Sequence, residues 1–278
     1  MKIAVVVNEL NVRGGTHKQV LRFCQYLKKK KLDFTLFTKI YDESKTYKEF
    51  KEIEIVSLYH SEIEWERAEH KNDNKKLFKC IPSDVDIVNV HDNQLNGLAL
   101  RALMHGKKFV WQINDLPYVF NVGVNSNYKN NIRDLMSKQV IRYIAKRSNA
   151  ITVNVTKNRI RVEEEMGISA KVLYCGVDVN PNLKRHFYKD FSSSFSLLTM
   201  GVFSYYRNYE TLIKVISHLR SEGINITLDI IGSTETDSVY AQKINEMIND
   251  LKLDNYIKVW GQVSDEKYNE LFNMANAF

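Results

Sequence analysis

Long apolar runs are missing from this chain. The longest, Ile3-Ala4-Val5-Val6-Val7, has about five residues, against the roughly 20 that a helix needs to cross a bilayer. It is also too short for the core of a signal peptide, and polar Asn8 and Glu9 follow it at once. A cytoplasmic protein is expected. Cysteine is scarce: Cys24, Cys80 and Cys175 are odd in number and widely spaced. That argues against a disulfide framework and a zinc knuckle, and the three read as buried free thiols in a reducing compartment. Neither GxGxxG nor GxxxxGK[ST] occurs, so the dinucleotide fingerprint and the Walker A loop are both absent. No helix-turn-helix, RNP or zinc motif accompanies the positive charge, so no nucleic-acid partner is expected.

What is present is an ordinary globular composition, 44% hydrophobic and 26% charged over 278 residues. That supplies a sizeable core and a length comfortable for two domains. Forty basic against thirty-three acidic residues give a formal charge of +7. Such an excess favours anionic partners such as nucleotides, phosphates or anionic lipid, although solubility alone also accounts for it.

Strands and helices alternate. The pattern predicts strands at 2–7, 33–38, 53–58, 86–90, 108–113, 150–155 and 171–174, and helices at 16–31, 95–104, 128–147 and 157–166. Thr16 and Gln19 fit a capping box. Residues 42–80 are otherwise polar and ambiguous. The stretch 180–194, with Pro181 and three closing serines, reads as a linker. The rhythm then restarts, with strands at 195–200, 226–231 and 256–260 and helices at 209–221, 237–251 and 265–273. No strand pair is joined by an Asn-Gly or Asp-Gly turn, so the expected class is α/β, two Rossmann-like doubly wound parallel-sheet domains.

In open parallel sheets ligands bind beyond the carboxyl ends of the strands. After the first strand come Arg13-Gly14-Gly15-Thr16 at a helix start. Glycine there lets the backbone approach a phosphate while the helix offers free N–H groups; a plain tight turn uses the same residues. After the strand at 86–90 come His91 and Asp92, and after 108–113 Asn114 and Asp115. These four polar groups suit an acceptor site, though a lone histidine serves structure as readily. In the second half Gly201 precedes Arg207, which stands just before a helix and can pair a diphosphate bidentately. Gly232-Ser233 and Gly261-Gln262-Val263 follow the next two strands.

The helix at 128–147 sets Lys129, Arg133, Lys138, Arg142, Lys146 and Arg147 against Asp134 alone. Its apolar members Ile132, Leu135, Met136, Val140, Tyr143 and Ile144 recur at helical spacing. It reads either as a core-facing helix with a solvated basic face or as a peripheral membrane surface.

The stretches "FSLLTMGVFSYYRNYETLI", "LDIIG", "VWGQVS" and "LFNMANA" together resemble the donor-binding domain of family 4 retaining glycosyltransferases, which have the GT-B fold. "NVRGGTHKQVLRFCQYL" is similar to the family's glycine-glycine loop and first helix, and "VLYCGVD" to its Asn-Gly-Val-Asp turn, with Cys175 replacing the asparagine. The resemblance implies a first domain over 1–179 on the acceptor side, a linker at 180–194 and a partial nucleotide-sugar donor domain over 195–278. It implies that Gly14 and Gly15 approach the donor diphosphate and that Gly201 turns the chain beside it. Arg207 would neutralise the phosphates as the sugar bond breaks, and Gly232, Gln262 and Val263 would line the base. His91 and Asp115, read from their places at strand ends, join Arg207 as the expected catalytic set. No cofactor or metal is implied, since helix dipoles and basic side chains serve in its place. The partners are a nucleotide-sugar donor and a glycan, lipid-linked or small-molecule acceptor.

The chain departs from the family at three places. Val202 stands where an arginine is usual, and Asn114 where a histidine is often found. The Glu-x7-Glu segment that contacts the donor sugar is not in the sequence, so a C-terminally truncated chain is expected, with an unpaired sheet edge, a labile second domain and no transfer unless the segment is supplied. Two functions stay open: a retaining glycosyltransferase, or a non-catalytic GT-B remnant that binds an acceptor or partner. Turnover of a donor separates them.

Overall fold

The computed structural model describes residues 1–91, 93–120, 132–176 and 194–278. It divides into two compact units, Met1–Val177 and Asp178–Phe278.

Unit 1 runs β1 (Lys2–Leu10), α1 (Gly15–Lys29), β2 (Asp33–Tyr41), β3 (Ile55–Tyr59), α2 (Glu62–Glu66), α3 (Asp73–Cys80), β4 (Ile87–Val90), α4 (Asn96–Met104), β5 (Lys108–Ile113), α5 (Ile132–Arg147), β6 (Ala150–Val153), α6 (Thr156–Met166) and β7 (Lys171–Val172). The strands form one parallel sheet in the order β3-β2-β1-β4-β5-β6-β7. Alternate residues of β1 face opposite ways, as pleating requires. Ile3, Val5 and Val7 join Val20, Leu21, Cys24 and Leu27 of α1 in one core. Ala4 and Val6 join Leu77, Leu98, Trp111, Ile141 and Ile144, from α3, α4, β5 and α5, in the other. Both faces are covered, which is why the strands read as unbroken apolar runs.

Several expectations are corrected here. The first strand does not stop at Val7: β1 continues to Leu10, because Glu9 and Leu10 still pair with Ile40 and Tyr41 of β2. The capping box is not formed. Gly14 is the N-cap and no side chain caps α1; Thr16 Oγ1 instead accepts a bond from Asn114 Nδ2 at 3.2 Å. Residues 42–80 hold α2 and α3 besides the expected strand. Of the thiols only Cys24 is buried, while Cys80 and Cys175 are exposed; burial pushes the Cys24 thiol up to about 12.

The described part of the basic helix is α5. Of its apolar residues only Ile141, Ile144 and Ala145 are buried. Ile132, Leu135 and Met136 are 77%, 59% and 65% exposed, so they do not face the core. Residues 128–131, Asp92, Val177, Asp178 and most of the expected linker lie outside the described residues.

Unit 2 runs β8 (Phe195–Met200), α7 (Tyr209–Ser221), β9 (Ile226–Ile231), α8 (Ser238–Asp250), β10 (Ile257–Gly261) and α9 (Asp265–Met274). Its parallel sheet has the order β10-β9-β8. Ile213, Ile216, Tyr240 and Ile244, from α7 and α8, pack on Leu228 and Ile230. Leu271 of α9 packs on Leu198 and Ile231 of the opposite face. An unpaired sheet edge is expected, and its β8 side is partly filled: the Asn276 and Leu198 N–H groups donate to Ser196 and Ala277 carbonyls at 2.8 and 3.0 Å, and Leu197 bridges Ala277 in parallel sense.

Candidate functional site

In unit 1 the strand order reverses direction between β1 and β4, the place where doubly wound sheets receive ligands. The Gly14-Gly15 turn follows β1, and His91 follows β4. Gly14 takes extended backbone (φ −123°, ψ 168°) and its carbonyl accepts the first helical bond, from the Lys18 N–H at 3.0 Å. A side chain on Gly14 would press on His17 Nδ1 at 3.0 Å, whereas one on Gly15 would meet nothing within 4 Å. Gly15 is therefore not required by the packing of the fold. The N–H groups that open α1 have no side-chain cap and point out of the helix end.

His91 is 5% exposed. Its Nε2 and Asn89 Oδ1 are 2.6 Å apart, and the Asn89 amide donates to the Val110 carbonyl at 3.5 Å. The proton therefore sits on Nε2. Burial lowers the imidazole from 6.5 to about 4, so His91 is neutral, and its buried Nδ1 has no hydrogen-bond partner among the described residues. Asp115 is exposed and its carbonyl accepts from Asn93 Nδ2. Asn114 is held by three neighbours. It donates to Thr16, its Oδ1 accepts from Gln112 at 3.2 Å, and its carbonyl accepts from Asn158 Nδ2 at 2.6 Å.

Sequence reasoning missed His17, Asn8 and Asn158. Asn8 and His17 are buried with Oδ1 and Nδ1 unpartnered among the described residues, and burial lowers the His17 pKa. Their only sequence signal was polarity next to the glycine turn.

In unit 2 three glycines close the three strands. The Gly201 N–H donates to the Ile231 carbonyl and the Gly232 N–H to the Gly261 carbonyl, each at 2.9 Å. Gly232 has φ +149°, and a Cβ there would lie 1.9 Å from the Gly201 carbonyl oxygen. Only glycine fits. A Cβ on Gly201 would lie 3.0 Å from both Cζ and Nε of Arg207, so the guanidinium rests on that turn. Tyr209 Oη donates to the Gly201 carbonyl at 2.9 Å. Arg207 is exposed, stands over the Tyr206 ring at 5.5 Å and forms no ion pair with a described residue. Asn208, in the left-handed region at φ +55°, turns the chain from Arg207 into α7. Gln262 is exposed, and Val263 packs beside Leu198 and Ile231.

Gly201, Arg207 and Gly232 thus form one surface at the strand ends of unit 2. Gly14, Asn114 and His91 belong to the strand-end region of unit 1.

The family profile described as Glycosyltransferase Family 4 matches residues 13–181, and that of Glycosyl transferases group 1 matches residues 184–278. The fold is similar to that of Anabaena HepE, solved in complex with UDP, with a TM-score of 0.70 at 14% identity over 95% of this chain and 70% of that one. It is similar to a glycosyltransferase from Rickettsia africae, with a TM-score of 0.68 at 16% identity over 99% and 71%. It is also similar to S. aureus TarM, solved with Fondaparinux, alpha-GlcNAc-glycerol and UDP, with a TM-score of 0.63 at 11% identity over 94% and 77%. No curated protein sequence gives a significant match.

Proposed function

The chain belongs to Glycosyltransferase Family 4, and from that premise we propose that it moves a sugar from a nucleotide-diphosphate-sugar to a glycan, lipid-linked or small-molecule acceptor with retention of configuration. The observation that carries this reading is the Arg207 guanidinium, without an acidic partner among the described residues and seated on the Gly201 turn beside Gly232. A diphosphate is the partner that such a fork takes bidentately, and the glycine turns leave room for it. HepE is solved with UDP and with UDP-glucose, which makes uridine diphosphate the first donor fragment to test.

In this reading Arg207 binds the diphosphate and stabilises the charge that grows on it as the glycosidic bond breaks. The exposed Gln262 and the backbone at Gly232 and Val263 receive the base. In unit 1 the uncapped N–H groups at Gly14-Gly15 suit phosphate oxygens. That Gly15 is unconstrained by packing favours a ligand-facing role for it over a plain turn. Neutral His91, held by Asn89, backs the acceptor side of the strand ends, and the exposed Asp115 orients that acceptor. No metal is needed where an arginine and helix N-termini supply the positive charge.

Membrane contact is part of the proposal, at the cytoplasmic face. Ile132, Leu135, Met136, Val140 and Tyr143 of α5 are 43% to 77% exposed and share one helix face, with Arg133 beside it and Lys146 and Arg147 in its last turn. An apolar stripe edged with cations suits an anionic lipid surface. No helix among the described residues is long and apolar enough to cross a membrane. Liposome flotation tests this contact. Recovery with anionic but not neutral vesicles at low salt, reduced in Met136→Glu, is expected; equal recovery with both contradicts it.

Calorimetry tests the donor site. Arg207→Ala removes a charge-assisted pair worth about 1.5–3 kcal/mol, so affinity for uridine or guanosine diphosphate should fall roughly ten- to 150-fold. Unchanged affinity contradicts the assigned role.

A further inference from the structure

Unit 1 carries a second concave surface that the transfer reading does not use. A pocket of ≈ 470 Å³ beside Arg13 mixes acids with bases, but one of ≈ 490 Å³ between α3 and α4 is lined by cations without a carboxylate. Its residues come from the ends of α3 and α4 and from the loops that lead into β4 and β5. It therefore lies at the strand-start edge of the sheet, about 20 Å along a six-residue strand from the strand ends that hold Asn114 and Asp115.

Four cations converge there. Lys75 and Lys79 are one turn apart on α3, where like charges repel, and neither forms an ion pair with a described residue. Arg101 of α4 is anchored through an NH1 bond to the Gly97 carbonyl at 2.9 Å. Lys107 Nζ donates to the carbonyls of Ser83 and, at 2.8 Å, Val85. Asp84 feels the Lys107 charge but is held by Lys2. One wall is aromatic: the Phe78 and His105 rings lie 5.0 Å apart, tilted by 51°. His105 Nδ1 is fixed by donating to the Arg101 carbonyl at 2.9 Å. Arg101, Lys107 and the His105 ring are thus positioned by backbone contacts before any ligand arrives.

We propose that this pocket is a second anion site that binds a phosphate ester, with the phosphate among Lys75, Lys79, Arg101 and Lys107 and the ester body against Phe78 and His105. The phosphate compensates a repulsion that no side chain in the pocket relieves, and four donors around it match its oxygens. A soluble phosphorylated metabolite and a phosphomonoester lipid headgroup share this chemistry.

Phenyl phosphate is the soluble probe, titrated by calorimetry into the full chain at low salt. Saturable binding is expected. It should weaken about tenfold or more in the double variant Lys75→Ala/Lys79→Ala and stay unchanged in Arg207→Ala. Both lysines are exposed, so the double variant should keep the thermal unfolding midpoint of the parent. Vesicles containing phosphatidic acid form the second arm, with Met136→Glu in both parent and double variant so that α5 does not carry the recovery. If the double variant loses vesicle recovery as well as phenyl phosphate binding, the headgroup is a source of the phosphate; if it loses only the soluble probe, a metabolite is. Absence of saturable binding overturns the proposal. So does binding that disappears in Arg207→Ala and survives in the double variant, which would leave the donor site as the phosphate binder. Failure of this test leaves the Arg207 calorimetry untouched.

Discussion

His91 makes the stability of unit 1 depend on pH in a window that can be worked out. Burial lowers the imidazole from 6.5 to about 4, so the unfolded chain takes up the proton first. The stabilisation is present in full above pH 6.5 and is lost as pH falls from there through 4. The two values differ enough for about 3 kcal/mol in all, of which about 2 kcal/mol is gone by pH 5. His17, also lowered by burial, adds to the same trend. Asp73 is held below 3.8 by bonds from His70, Tyr59 and Lys76 that outweigh its burial, and acts in a more acidic range. His91→Gln isolates the histidine term, because an uncharged amide can still donate to Asn89. The assay is urea unfolding followed by tryptophan fluorescence in a Trp260→Phe background, where only Trp65 and Trp111 of unit 1 report. The parent should lose about 2 kcal/mol more than His91→Gln between pH 7 and pH 5. Parallel pH profiles would show that His91 is not a buried neutral group.

Gly232→Ala forces a Cβ to 1.9 Å from the Gly201 oxygen at φ +149°. It should destabilise unit 2 by about 1–3 kcal/mol or more and weaken diphosphate binding, read by Trp260 fluorescence and calorimetry. Gly15→Ala, with open space around it, should leave stability within about 0.5 kcal/mol while lowering donor affinity; unchanged affinity would reduce the glycine to a turn former. A thiol reagent at pH 8 should label Cys80 and Cys175 and spare Cys24, buried and shifted to about 12. Mass spectrometry of the intact chain reads the outcome, and rapid triple labelling contradicts it.

The strands were legible because both faces of each sheet are buried, which leaves runs such as Val5-Val6-Val7 unmistakable. The end of β1 was not, because Asn8 and Glu9 look like a loop until β2 is known to run alongside. The helix α3 was hidden by its lysines: a single buried leucine, Leu77, and a buried Asp73 anchor it. The direction of α5 stayed open because its apolar residues recur on two faces and only the Ile141–Ile144 face meets the core. At the site, glycines marked Gly14, Gly201 and Gly232 because they break the pattern at strand ends. The closeness of Gly232 to Gly201 follows from the parallel register of β8 and β9, which spacing alone does not reveal. Asn8 and His17 escaped because a buried polar residue has the same letter as an exposed one.

Donor turnover tests the central claim most directly. The chain is incubated with a panel of uridine and guanosine diphosphate sugars and candidate glycan acceptors, nucleotide release is measured, and proton NMR gives the anomeric configuration of the product. With the Glu-x7-Glu segment supplied, acceptor-dependent release of one nucleoside diphosphate and a product with the donor's configuration are expected, and both should be lost in Arg207→Ala. Donor that binds but is neither hydrolysed nor transferred across the panel would contradict transfer and leave a binding protein; an inverted product would contradict retention.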